Sequence, residues 1–273
     1  MKELNKKTRE IGKIFLISLF TFVWMFFDVQ EAQAVVIVEI GNATANGTGT
    51  AVSVTHGVTI QKNDLVFAVV HANEDDAGGQ TNISDNNGAS SFTETFEEDH
   101  PGAGTTDSRY AIYVRRAGAS EPSSYAWTLA SSQGWTVQVR VFRGVHSDIW
   151  DVTPGTGTRN SNPTSGGTTT LTAPTMTVNT TGALGIVLVM TDGNLLTYSN
   201  PTNGYNNAVE MEGVQDPQAS YTRIWVAGAS GTTQVTQSAT NDFIAHQFAL
   251  KPFIRTWHLI RGGVKIRGLV KFR

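Results

Sequence analysis

The sequence predicts an all-β protein: an antiparallel, jelly-roll-like β-sandwich of about twelve strands built from two similar halves. Three observations carry that expectation. Trp135–Val141 alternates apolar and polar residues without a fault, the period-2 pattern of a half-buried strand. Leu65–Val70 and Leu184–Met190 are continuous apolar runs, the pattern of central strands covered on both faces. Finally, three blocks recur in the same order. Asn63–Val70 resembles Thr181–Leu188. Ile112–Val114 with Ala117–Ser120 resembles Ile224–Val226 with Ala227–Ser230. Trp135 and the strand after it match Phe243 and Ile244–Leu250. Chance matches do not keep their order over three blocks, so an internal duplication is expected.

Taken from the start, Met1–Lys13 carries five basic residues, and Ile14–Phe27 is apolar apart from Ser18 and Thr21. Asp28–Glu31 then leads to Ala32-Gln33-Ala34, an A-x-A site. This is the tripartite layout of a secretory signal peptide over residues 1–34. Its apolar core falls short of the roughly twenty residues a bilayer span needs. Cleavage after Ala34 and release outside the cell or onto its surface are therefore expected. The alternatives are an uncleaved segment that anchors the protein to the membrane and a buried N-terminal helix.

The expected sandwich runs over 35–253, with halves 35–150 and 151–253. Tyr110–Val114, Tyr125–Leu129 and Ile244–Leu250 add strand patterns. Between the strands lie clusters of turn-forming residues such as Asn42–Gly49, Asp85–Gly88, Gly102–Asp107 and Asn200–Asn207. Thr153–Gly167 reads as the link between halves. With no cysteine, the chain has no disulfide scaffold, thiolate nucleophile or Cys-ligated metal site. Lys62 is the only lysine in the acidic stretch 35–250, so the body should repel nucleic acid.

Residues 254–273 differ in kind. Residues 251–273 hold seven basic residues and no acidic one, and Arg261–Ile266 is nearly repeated by Arg267–Phe272. As an extended strand the tail has Val264, Ile266, Val270 and Phe272 on one face. Lys265, Arg267, Lys271 and Arg273 lie on the other. Arg261, Lys265, Arg267, Lys271 and Arg273 are thus candidates for attachment to an anionic envelope polymer, a lipid head group or a neighbouring copy. Addition of the tail as a strand to a partner sheet would lead to self-assembly. A solvated tail kept soluble by its charge is the alternative.

Asp64–Val70, Ile83–Gly88, Tyr110–Arg116 and Val139–Val145 together resemble a group of secreted bacterial and phage β-sandwich surface modules. That group is marked by a "dlivv" strand, an "sDsaGNtyt" turn, an "iyya" strand and a closing "EYsG" strand. The resemblance covers 45–252. It departs at Phe142-Arg143 and at Ala89-Ser90. It implies export, a sandwich and a modular surface role, and it carries over no catalytic residue.

Candidate chemistry is sparse. Asp75, Asp76, Asp85, Asn87 and Asp192 are hard oxygen donors in loops expected at one end of the sandwich, as in many Ca²⁺ sites. The same residue types also make tight turns. Tyr113, Trp225 and Trp150 are candidates for stacking on a sugar, against a competing place in the core. Glu94, Glu97, Glu98 and Asp99 could supply a carboxylate pair for glycoside hydrolysis. No G-x-S-x-G, P-loop or H-E-x-x-H occurs. The expected function is an exported, non-catalytic binding or adhesion module for a glycan or protein partner. A structural subunit of an extracellular or virion-like assembly is the second expectation and a secreted glycan hydrolase the third.

Overall fold

The computed structural model describes residues 33–74, 82–100, 107–155, 157, 159–162, 168–191, 195–212 and 216–255. The leader with its Ala32, the loop residues Asp75, Asp76 and Asp192, and the tail cations Arg261, Lys265, Arg267, Lys271 and Arg273 lie outside them. Ala34–Ile254 forms one compact unit.

The chain is all-β and antiparallel. The first half contains β1 (Gln33–Ala34), β2 (Val38–Thr55), β3 (Leu65–Glu74), β4 (Ile83–Asp85), β5 (Thr93–His100), β6 (Asp107–Arg116) and β7 (Ser124–Arg143). The second contains β8 (Val145–Val152), β9 (Arg159–Asn162), β10 (Thr168–Ala173), β11 (Thr177–Val178), β12 (Ala183–Thr191), β13 (Tyr198–Ser199), β14 (Asn206–Met211), β15 (Gln218–Trp225), β16 (Gly228–Ala229), β17 (Thr233–Asn241), β18 (Phe243–Pro252) and β19 (Ile254–Arg255). Gly88–Ser90 is a 3-10 turn.

Two six-stranded sheets dominate. One has the order β2-β7-β3-β6-β5, with β4 also on β7; the other has β14-β15-β12-β18-β8, with β9 also on β18. The two orders are the same path. β3 and β12 sit in the middle, each flanked by its half's last long strand (β7, β18) and by β6 or β15. Both central strands bury the apolar runs from which they were expected: Leu65–Val70 and Ala183–Thr191 are buried throughout. Each half then curls over itself. In the first half β2 and β7 continue past a bulge at Gly49/Ala51 into an outer layer that pairs Ala51–Thr55 with Thr128–Ser124. In the second half separate strands, β10-β17-β13, make that layer.

Three cores result. Val66, Ala68, Val70, Tyr113, Trp127 and Val139 lie under the first half's outer layer. Leu171, Val187, Val189, Tyr221 and Val235 lie under the second's. Between the sheets, Leu65, Phe67, Val69 and Ile112 meet Leu184, Ile186, Leu188 and Phe248. The Phe67 and Phe248 ring centroids are 5.8 Å apart. Leu65 and Leu184 both face this shared core, whereas Ala183 faces the other way. The structural equivalent of Leu65 is therefore Leu184. The sequence match that sets Leu65 against Ala183 is out by one residue, a slip that reverses every side chain in a strand.

The chain passes from one sheet to the other at Gly144, between β7 and β8, so 145–150 belongs with the second half's sheet. Gly144 has φ +88°, and a Cβ there would lie 2.9 Å from the Val36 carbonyl oxygen. Only glycine fits this corner.

Candidate functional site

The aromatic residues expected to meet a sugar are placed in the interior. Tyr113 is 1% exposed and its hydroxyl donates to the Ile83 carbonyl at 2.6 Å. Trp225 is 9% exposed, with the Arg223 guanidinium 4.1 Å above its ring. Gly185 underlies it: a Cβ there would come within 2.4 Å of the Trp225 Nε1 and 2.8 Å of the Tyr205 hydroxyl. Trp150 is half-buried, packs against the inter-sheet core and meets Phe248 edge-on at 5.7 Å. Tyr113 and Trp225 are closed to solvent, and Trp150 is partly exposed. A duplicated sandwich has three cores to fill, and it spends its large rings there.

Of the turn carboxylates, Asp85 lies among the described residues and is likewise engaged. Asp85 accepts from the Asn87 side-chain amide through Oδ1 and from the Phe92 N–H at 3.1 Å through Oδ2. Asn87 in turn holds both the N–H and the carbonyl of Ala126, at 2.9 and 2.7 Å. These oxygens fasten the β4 turn to β7, the role turn residues commonly have. No group of three or more His, Asp or Glu suited to a metal occurs among the described residues.

A polar arrangement that the sequence reading missed recurs in both halves. In the first, the Glu97 carboxylate accepts the Ile83 N–H at 3.1 Å and pairs with Arg109 at 2.7 Å. Nearby Glu94 is hydrogen-bonded to Tyr113. In the second, Glu212 accepts the Tyr198 N–H at 2.5 Å, and Glu210 accepts from the Tyr221 hydroxyl at 2.6 Å. Each half thus uses one glutamate to hold its short outer strand (β4, β13); the buried tyrosine beside it donates to the Ile83 carbonyl in the first half and to Glu210 in the second. Burial and then the negative charge of Glu97 push the Glu94 carboxyl above its usual value, against Arg109 and the Tyr113 bond. The Tyr113 hydroxyl is pushed up by burial and by Glu94. Tyr221 is pushed up by burial and by its bond to Glu210. Both phenols therefore remain protonated donors. Of the four carboxylates first grouped for hydrolysis, Glu97 is committed to an ion pair and a backbone N–H, and the Asp99 side chain lies outside the description.

The second unforeseen arrangement lies between the sheets. The polar face of β7 is Thr136, Gln138 and Arg140, all 0% exposed. The alternation had predicted a solvent face there; instead it meets β15. Thr136 donates to the Asp216 carbonyl at 2.8 Å, and His71 Nδ1 lies 3.2 Å from the same oxygen. Gln138 donates to Gln218 at 2.8 Å and accepts from the Ser220 hydroxyl. Arg140 donates to the Ser220 carbonyl and hydroxyl at 3.1 and 3.0 Å and to the Asn207 carbonyl at 2.9 Å, and it pairs with Glu39. Burial pulls the Arg140 guanidinium below its usual value, while Glu39 pushes it back up. This ladder satisfies its polar groups across the interface and fixes how the sheets register.

Charge is divided between the ends of the sandwich. At one end Glu97 and Glu98 lie where β5 pairs with the start of β6, Glu210 and Glu212 lie at the end of β14 beside the start of β15, Arg109 pairs with Glu97, and Asp216 is buried. At the other, among the described residues, three acids have cationic partners and a fourth accepts backbone N–H groups. Asp64 pairs with Arg143 at 2.8 Å, Glu121 with Arg115 at 2.9 Å and Asp148 with Lys251 at 2.8 Å. Asp151 accepts the N–H groups of Asn179 and Thr180 at 2.7 and 3.3 Å. Comparison with known protein families, curated proteins and solved structures finds no match.

Proposed function

We propose that this chain is an exported, non-catalytic surface module that holds a partner at its acidic end, the end where β3, β6, β12 and β15 begin or finish on loops. The observation that supports this reading is the segregation of charge just described. Glutamates drawn from both halves at the loop end (Glu97, Glu98, Glu210 and Glu212) give it an acidic surface that suits a cationic partner. With its large aromatic rings in the cores, a basic protein surface suits this end better than a stacked sugar. The leader pattern and the resemblance to secreted surface modules support export.

Fractionation of the native organism, followed by adhesion of the purified protein to candidate surfaces, tests the reading. The expected result is protein in the medium or on the cell surface. Its retention on a basic partner should fall severalfold between low and physiological salt and fall again in Glu210→Lys. Protein that stays in the cytosol with its leader intact would overturn it.

One observation favours a second reading, a structural subunit. β2 is 18 residues long, lies at the edge of its sheet and contains neither lysine nor proline to discourage further pairing. Sedimentation would show concentration-dependent polymers that disappear when 256–273 is deleted.

A further inference from the structure

The end of the sandwich opposite the acidic loops has three properties together. First, the exposed large aliphatic side chains concentrate there: Val36 63%, Val38 52%, Ile224 44%, Val226 69% and Ile254 38% exposed. Register fixes the location. Ile224 is opposite Leu184, which is opposite Leu250, at the last residues of β15 and β18. Val226 follows Trp225, whose carbonyl accepts from the Gly182 N–H at 2.8 Å. Val38 is opposite Arg143 at the end of β7, and the Val35 N–H donates to the Phe253 carbonyl at 2.7 Å. Among the described residues the one further exposed large aliphatic, Leu195, follows β12 at the acidic end.

Second, this end carries surplus cations. Its carboxylates are matched by Arg143, Arg115 and Lys251 or capped by backbone N–H groups, as above. Arg116 donates to the Asn63 and Val145 carbonyls at 3.2 and 3.1 Å near Asp64, which already pairs with Arg143, and Arg223 lies over Trp225. Lys62 adds an exposed ammonium beside Asp64.

Third, the chain enters and leaves the compact unit here, at Ala34 and Ile254. The sequence before it contains the Ile14–Phe27 apolar run. The sequence after it contributes Arg255, Arg261, Lys265, Arg267, Lys271 and Arg273 without an acid.

We propose that this end is a membrane-contacting base that seats on an anionic lipid bilayer, with the exposed aliphatics entering the headgroup boundary and the cations meeting lipid phosphates. Apolar insertion and electrostatic attraction are the two signals that together give stable interfacial binding where either alone is weak. The opposite, acidic end is repelled by the same surface, so the body stands with its loops pointing away. The inference takes its setting from the exported-surface reading. Its test is made on vesicles, so the two fail separately.

The test is flotation of the exported protein, with its N-terminus as the host leaves it. Vesicles of phosphatidylcholine containing phosphatidylglycerol are compared with vesicles of phosphatidylcholine alone. The expected result is binding to the anionic vesicles at least about tenfold tighter than to the neutral ones, weakened by salt. The double variant Ile224→Asp/Val226→Asp should lose about tenfold or more of that binding. Leu195→Asp, the same kind of change at the acidic end, should bind as the parent does. Both sites are exposed, and an unchanged thermal midpoint confirms that each variant folds. The proposal is overturned by absence of flotation on anionic vesicles, by equal binding to both kinds of vesicle, or by equal losses in the two variants. It is also overturned if soluble polyphosphate captures parent and double variant alike, which would assign the binding to polyanions rather than to a bilayer.

Discussion

The two halves follow one strand path with different chemistry. In the first half, β2 and β7 run uninterrupted from the inner sheet into the outer layer, over 18 and 20 residues. Salt bridges pin its edges: Glu97–Arg109, Arg115–Glu121 and Arg143–Asp64. In the second half the same path is broken between β17 and β18, and beside the Asp148–Lys251 pair and the Glu212 and Asp151 contacts, neutral contacts do much of the corresponding work. The Tyr198 hydroxyl donates to the Pro217 carbonyl at 2.8 Å, Ser230 Oγ accepts the Met176 N–H at 3.0 Å, and Asn203 donates to the Thr232 carbonyl at 2.7 Å. The shared path shows that packing of β3 and β12 against each other determines the architecture. The edges are then free to be held by ions or by neutral hydrogen bonds. Both solutions work because each satisfies its buried groups, and neither needs to be stronger than the other.

The largest effect should come from the residue that belongs to both halves. Arg140→Ala removes the guanidinium from the Ser220 and Asn207 carbonyls and leaves Glu39 without its cation, at a cost of about 3–5 kcal/mol in urea unfolding. Hydrogen exchange should lose protection in β14 and β15 as well as β7. Loss confined to β7 would show that the ladder does not couple the halves.

A smaller effect sharpens the parallel between the tyrosines. Tyr221→Phe removes the bond to Glu210, and Tyr113→Phe removes the bond to the Ile83 carbonyl. Each should lower stability by about 1 kcal/mol in denaturant titration. A cost in only one half would show that the repeated tyrosine–glutamate arrangement is not equivalent.

The smallest effect is in acid, and it should fall on the first half. Burial pushes the Glu121 carboxyl up, but Arg115, the Gly118 N–H and the Tyr125 hydroxyl hold it below 4.5 overall. A depressed carboxylate stabilises the fold above its free value and loses that contribution as the pH falls through its folded value. Below pH 4.5 the Arg115 corner should therefore loosen, and Glu121→Gln should show less of this acid dependence. Glu94, held above 4.5, acts in the opposite sense and on the other side of that value: its contribution is present below pH 4.5 and falls as the pH rises above it. Denaturation midpoints taken across this range for the parent, Glu121→Gln and Glu94→Gln give the signs.

Much of this was legible in the chain. The Leu65–Val70 and Leu184–Met190 runs placed the two central strands, because an apolar run of that length can be covered only from both sides. The recurrence of blocks anticipated that the halves share a path. The polar positions of β7 misled. Thr136, Gln138 and Arg140 read locally as a solvent face, since nothing within twenty residues of them reveals that Gln218 and Ser220 will stand opposite. Tyr113 and Trp225 misled for the converse reason: their strand parity is plain, but which side of a sheet is covered depends on the outer layer.

The sequence by itself determined the strand class, the order of the apolar runs and the uneven charge of body and tail, because period-2 patterning and composition are local properties. Only the tertiary structure decided which polar residues were buried, which rings were closed to solvent and how charge was divided between the two ends. Those outcomes depend on pairings between residues some eighty positions apart, such as Arg140 with Ser220. A chain gains such contacts only once both of its sheets exist.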